Sequence, residues 1–249
     1  MHRFLVDTET LRETSPVLNK DAAKHLKVLR PDDGEKFELF DGRGSWRIYA
    51  YDAAAKSLVA DQPSTSNLQP PTSNLTLFAC VTKGSRWDWT VEKATELGVT
   101  RIVPVISART IVRIPAAERA AKRERWLRIA EDAARQSDAK WLPEIYEIVD
   151  FEASLELVKA TTCFIGALTE PPSPPLAKAV ASRGGRDCAA TTDSAATTEY
   201  AVYVGPEGDF TPEELAALMK IAIPTSFGPT VLRAETAAIY AVSALRSFL

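Results

Sequence analysis

From about residue 75 to the C-terminus, short apolar runs alternate with stretches of helical pattern, and that rhythm leaves few architectures open. "LTLFACVT", "RIVPVI", "TTCFIGAL" and "YAVYVG" are almost continuously apolar. They are too short for typical helices and too uniform for strands with one wet face. Between and after them come "SRWDWTVEKATELG", with Gly98 placed as a C-terminal stop, a long helical stretch over 116–137, and helices near 212–222 and 234–249. "EIYEIV" is a further strand candidate. Strands separated by helices imply an α/β domain with a mainly parallel sheet and helices on both faces.

The first 60 residues follow another pattern. "HRFLVD" reads as a strand, "KDAAKHLKVLR" as a short helix, and "EKFELFDGRGSWRIYAYD" as a hairpin turning at Asp41–Gly44. "DQPSTSNLQPPTSN", residues 61–74, is polar and Pro-rich and reads as a linker. The expected organisation is a small β domain over 1–70 and an α/β domain over 74–249. Residues 170–199 are dominated by Pro, Ala, Ser, Thr and Gly and are expected to form a flexible surface insertion.

Composition narrows the function. The net charge of −3 argues against non-specific coating of nucleic acid, while a local basic patch remains compatible with it. With two histidines and three cysteines that form no CxxC pair, neither a metal site nor a disulfide framework is expected. No apolar run approaches the roughly 20 residues that span a bilayer, and the N-terminus lacks a secretory pattern. The expectation is a cytoplasmic protein with no membrane partner.

"AVYVGPEGDFTPEELAALM" runs from a strand through a tight loop into a helix. Thr211, Pro212 and Glu214 spell a capping box with proline at the first helical position. Gly205 and Gly208 permit close approach of a ligand to the backbone, and Pro206 stiffens the loop. A phosphate would want a cation here, yet the loop carries Glu207 and Asp209. A cationic or neutral ligand suits it better; a ligand-free turn is the alternative. A second segment, "FGPTVLRAETAAIYAVSALRSFL", repeats Gly-Pro, then a loop and an apolar helix. Arg233, Glu235 and Thr236 stand at the entrance of that helix, either as a satisfied cap or as a site.

In this order the two segments resemble the SPOUT superfamily, and most closely the ribosomal small subunit methyltransferase E family of 16S rRNA uridine-N3 methyltransferases. "HRFLV", "HLKVLRPDDGEKFELFDG", "KGSRWDWTVEKATELGVTRIVPVISART" and "RWLRIAEDAARQSDAKWLPEI" extend the likeness over nearly the whole chain. The resemblance implies a SPOUT domain with a deep trefoil knot, a PUA-like β-barrel that binds RNA, and S-adenosylmethionine as cofactor. The implied cofactor residues are Leu168, then Gly205, Pro206, Glu207 and Gly208, then Phe227, Gly228, Val231 and Leu232, and finally Ala234, Thr236 and Ala237. Methyl transfer to uracil N3 needs a base and a cation, for which Glu235 and Arg233 are the candidates; a buried structural ion pair between them is the alternative. His25, Arg30, Lys83, Arg86 and Arg109 match basic positions implied to contact RNA. The implied partners are 16S rRNA, within the assembled small subunit, and a second copy of the chain. Along 116–137, Glu118–Lys122, Glu124–Arg128 and Glu131–Arg135 are spaced to pair along a solvated helix face, with phosphate contacts as the other reading.

Two departures stand out. Asp209 replaces the second glycine of the usual Gly-Pro-Glu-Gly-Gly-Phe, and Asp138-Ala139 stands where Gly-Arg is common, with Lys140 as a possible substitute for the arginine. A ribosome-assembly factor that kept the fold without the activity, and a methyltransferase acting on another RNA such as tRNA, therefore stay open.

Overall fold

A computed structural model describes residues 1–61, 65–71, 73–158, 162–187 and 198–249. The chain forms two compact units: residues 1–70 with 131–142, and 71–130 with 143–249. The sequence reading had assigned 131–142 to the second.

In the first unit the elements are β1 (His2–Leu5), α1 (Lys20–Leu29), β2 (Lys36–Phe40), β3 (Ser45–Asp52), β4 (Ser57–Ala60) and β5 (Ser66–Asn67). β1 pairs parallel with β2, so the chain must cross over between them, and α1 lies in that crossover. The remaining pairs are antiparallel, in the order β1-β2-β3-β4 with β5 on β3. Asn19 caps α1 by accepting from the Ala22 N–H at 2.9 Å. Phe4, Leu11, Leu26, Phe37, Leu39, Tyr49 and Leu58 form the core. The β2–β3 turn is held by Asp41, whose Oδ1 accepts from the N–H groups of Arg43 and Ser45 at 2.8 and 3.0 Å.

Residues 131–142 join this unit through charge. Arg3 donates to the carbonyls of Ala134 and Arg135, at 2.8 and 3.2 Å. Buried Glu38 accepts from Arg3 Nε at 2.7 Å and from Lys140 Nζ at 2.6 and 2.7 Å. Lys140 Nζ also lies 2.7 Å from Asp138 Oδ1, and the ammonium and Arg3 together hold the Asp138 carboxyl below its usual range. Lys140 is therefore committed to this network, which bears on its expected role as a substitute for the missing arginine.

The second unit contains β6 (Ser73–Cys80), α2 (Ser85–Glu96), β7 (Arg101–Ile106), α3 (Ala116–Ser137, shared with the first unit), β8 (Glu144–Ile145), β9 (Val149–Asp150), α4 (Phe151–Glu156), β10 (Thr162–Gly166), α5 (Leu176–Asp187), β11 (Thr198–Val204), α6 (Pro212–Leu218), β12 (Ile223–Thr225) and α7 (Ala234–Arg246). All pairs are parallel, in the order β12-β10-β11-β6-β7-β8 with β9 on β7. Successive strand residues go to opposite faces. Leu75, Leu77, Ile102, Phe164, Val202 and Val204 pack with residues of α2, α3, α5 and α7. Phe78, Cys80, Val103, Cys163, Ile165, Ala201 and Tyr203 pack with residues of α4 and α6. This two-sided burial accounts for the continuously apolar strands.

One expectation changes. Within 170–199, residues 176–187 are helical, and Leu176, Ala179 and Val180 are buried at the i, i+3, i+4 spacing of a helix face. The surface-insertion reading is corrected there, while 188–197 lie outside the described residues. On α3, arginines reach other segments: Arg125 pairs with Asp88, Arg119 with Asp150, and Arg123 donates to the Ile145 carbonyl. None of these three arginines belongs to the pairs expected along the helix face, and Arg135 does pair along it, with Asp132. Among the described residues no helix is long and apolar enough to cross a membrane.

Candidate functional site

At the C-terminal ends of β10, β11 and β12 lies a cavity of about 520 Å³, within the range of small-molecule sites. Open parallel sheets place ligands at this end of their strands. Three turns wall the cavity: Gly166–Leu168 after β10, Val204–Asp209 after β11, and Thr225–Ala234 between β12 and α7, with Ala237 behind them. A Cβ at Gly166 would lie 2.3 Å from the Phe227 ring, so any larger residue there requires the ring to move. Leu168 and Val231, 72% and 79% exposed, form the rim.

The turn after β11 is firmly held. Thr211 Oγ1 accepts from the Glu214 N–H at 3.2 Å, and Glu214 Oε2 accepts from the Thr211 N–H at 2.9 Å, completing the capping box. The other oxygen of Glu214 accepts from the Ala108 N–H at 2.8 Å. Arg109 Nη1 donates to the carbonyls of Gly208 and Phe210, at 3.0 and 3.3 Å. Asp209 sits at φ 59°, the left-handed region that Gly favours and Asp enters more readily than most residues. Its Oδ1 accepts from the Phe210 N–H at 2.8 Å. The side chain thus supports the turn in which it replaces the usual glycine.

The turn before α7 has fewer ties. Gly228 has φ 131°, and a Ser226 Oγ contact with its N–H at 3.3 Å and its carbonyl at 3.1 Å closes the bend. Arg233 occupies the N-cap position of α7 without a side-chain capping bond, and it is exposed.

Of the twelve cofactor candidates, eleven line the cavity. Thr236 does not: Ala234 and Ala237 share the inward face of the first turn of α7, and Thr236 is exposed. Arg233 lines the cavity, whereas Glu235 lies outside its lining and is buried. The weighed Arg233–Glu235 pair is not formed among the described residues; positions i and i+2 of a helix do not face each other. Glu235 pairs instead with Arg86, at 3.8 Å, and Arg86 also lies 3.5 Å from Glu207.

The RNA candidates fall in different settings. His25 and Arg30 are exposed in the first unit, His25 edge-on to Phe4 and Arg30 closing α1 at φ 50°. Lys83 is exposed in the loop before α2. Arg86 and Arg109 are engaged in the ion pairs and carbonyl contacts above. Sequence reasoning missed Gly166, Ala167, Thr225, Ser226 and Thr230 as lining residues, because nothing marks a strand end as facing a cavity. Cys80 offers no nucleophile, since burial pushes its thiol up to about 12. Among the described residues no three potential ligands converge on a metal site.

The chain is similar to known proteins along its whole length. The RNA methyltransferase domain family matches residues 69–246, and the RNA methyltransferase PUA domain family matches residues 18–59. Ribosomal RNA small subunit methyltransferase E of Synechocystis is 30% identical over 254 residues, covering 100% of this chain and 78% of that protein. The crystal structure of ribosomal RNA small subunit methyltransferase E from Neisseria gonorrhoeae bound to S-adenosylmethionine superposes with a TM-score of 0.77 at 26% identity, covering 100% of this chain and 98% of that one. A Legionella pneumophila structure described as a methyltransferase with bound S-adenosylmethionine gives 0.78 at 26% identity, covering 99% and 97%. A SPOUT-type parallel sheet and a separate small PUA-like β domain meet the expected fold, and these neighbours are consistent with the expected trefoil knot. On the family matches, the full-length relative and the shared fold together, the chain belongs to the ribosomal RNA small subunit methyltransferase E family.

Proposed function

We propose that this chain transfers a methyl group from S-adenosylmethionine to N3 of a uridine in 16S rRNA of the small ribosomal subunit, acting in the cytoplasm as a homodimer. The observation that carries the reading is the cavity between two glycine-proline turns, with apolar faces, a carboxylate at Glu207 and no lysine to meet a phosphate. Those residues fit the cofactor: Phe227 and Leu232 suit the faces of an adenine, the glycine turns expose backbone amides to its edge, and Glu207 suits a cationic group. The cofactor supplies an activated methyl group on a positively charged sulfur.

This chain's residues then have two tasks at the uracil. Glu235 receives the N3 proton or organises the group that does, and Arg233, which has no ion pair among the described residues, stabilises the charge left on the uracil carbonyls. Because N3 lies on the Watson–Crick edge, the base must be unpaired or flipped out of its stack. Exposed His25, Arg30 and Lys83 are the proposed RNA contacts, and the exposed Tyr240 midway along α7 and Phe248 just beyond its end offer apolar surface to a second copy.

The test is mass spectrometry of ribosomal nucleosides from a strain lacking the gene. Small-subunit RNA should lose N3-methyluridine and regain it when the gene is restored. Unchanged N3-methyluridine would eliminate this substrate, and absent S-adenosylmethionine binding in calorimetry would favour an assembly factor.

A further inference from the structure

Three segments of the second unit bring charge to one point beside the cavity. Arg86 lies in the first turn of α2, with Nη1 3.5 Å from Glu207 Oε1 and Nε 3.8 Å from Glu235 Oε1. Glu207 belongs to the turn after β11 and lines the cavity, and Glu235 belongs to the first turn of α7. One guanidinium thus stands between the two cavity walls.

Arg86 is badly placed for its own helix. A cation at a helix N-terminus opposes the helix dipole, and the N-cap residue here is Gly84, which supplies no side-chain cap. Glu235 is only 9% exposed, and its Oε2 accepts no hydrogen bond. Thr82 Oγ1 and Trp87 Nε1, close to Arg86 in sequence, are also buried without partners. Native interiors leave few such atoms, and breaches of local rules concentrate where function requires them.

We infer that Arg86 is a positioning residue for methyl transfer, fixing the carboxylates of Glu235 and Glu207 relative to each other rather than binding RNA phosphate. The inference rests on the proposed function and deepens it. With Oε1 drawn to the guanidinium, Glu235 is held in one orientation next to Ala234 of the cavity lining, with Oε2 buried and unpartnered. The same guanidinium offsets only one of the two carboxylate charges, so the point keeps a net negative charge suited to a cationic cofactor. Arg233 stays free for the uracil, and the two arginines divide the work.

A double-mutant cycle on the full chain tests this, using Arg86→Ala, Glu235→Gln and the pair. It is read as single-turnover methyl transfer to small-subunit RNA at saturating cofactor, and as RNA affinity across a salt series. Arg86→Ala should slow transfer about 100-fold, the scale of a misplaced catalytic group. RNA affinity and its salt slope should stay those of the wild type. In the Glu235→Gln background the same change should cost no more than about threefold, because the two residues act as one unit. Arg86→Lys, which keeps the charge but lacks the planar fork, should recover part of the rate. Arg86→Ala leaves the buried Glu235 without its cation and should lower the thermal midpoint, whereas Arg86→Lys should stay near the wild type, so all rates are compared below the lowest midpoint. Independent, multiplicative effects would overturn the assignment. A normal transfer rate with a salt slope shallower by about one would overturn it too and make Arg86 a phosphate contact. If the wild-type chain transfers no methyl group, the proposed function fails and this role fails with it.

Discussion

The two turns that face each other across the cavity are both glycine-proline turns leading into a helix, yet they are secured very differently. After β11, the capping box, the Glu214–Ala108 bond, the Arg109 contacts and the Asp209–Phe210 bond act on one short segment. Before α7, the bend at Gly228 rests on Ser226, and Arg233 enters the helix with no side-chain cap. The first turn is a fixed reference against which a ligand can be held. The second carries the exposed Val231 and Arg233 and has fewer side-chain bonds to hold it.

The contrast can be broken in three places. Glu214→Ala should have the largest effect, since a buried carboxylate serving two backbone N–H groups disappears. Stability should fall by about 2–4 kcal/mol in urea unfolding. Cofactor affinity should fall with it, because the fixed wall loosens. Arg109→Ala comes next: calorimetry should show S-adenosylmethionine binding weakened about tenfold, the loss of one charged hydrogen bond's worth of support. The salt slope of RNA binding should stay unchanged; a shallower slope would return Arg109 to the RNA surface. Gly228→Ala probes the loose wall and should matter least. The space around it is open, so only its φ of 131° resists a side chain, at about 1 kcal/mol. Cofactor affinity should change less than in Arg109→Ala, and a larger loss would show that the second wall is no looser than the first.

Much of this was legible in the sequence, for reasons that can be named. Doubly buried strands announce themselves as continuous apolar runs, and "LTLFACVT" and "YAVYVG" coincide with β6 and β11. Gly98, at φ 76°, ends α2 as its position implied. Thr211 and Glu214 form the capping box that their spacing spelled. What stayed hidden depends on contacts between distant segments. Nothing in residues 176–187 separates a small buried helix from a polar insertion, because alanine and glycine suit both. The commitment of Lys140 to Glu38 spans about 100 residues, and that of Arg109 to the turn after β11 nearly as many. Charge near a site was readable in both, but the direction in which it points was not.

Asp138 and Asp209 both stand where the family resemblance leads one to expect glycine, and both have a left-handed backbone, with φ of 61° and 59°. Each has also gained a bond that glycine could not make, to Lys140 and to the Phe210 N–H. At these positions the fold of this chain therefore uses a dihedral angle that glycine is not alone in supplying. A search for distant relatives that demands glycine there would pass over chains like this one. A search that also admits aspartate and asparagine at those two positions would reach further without relaxing the geometry it selects for.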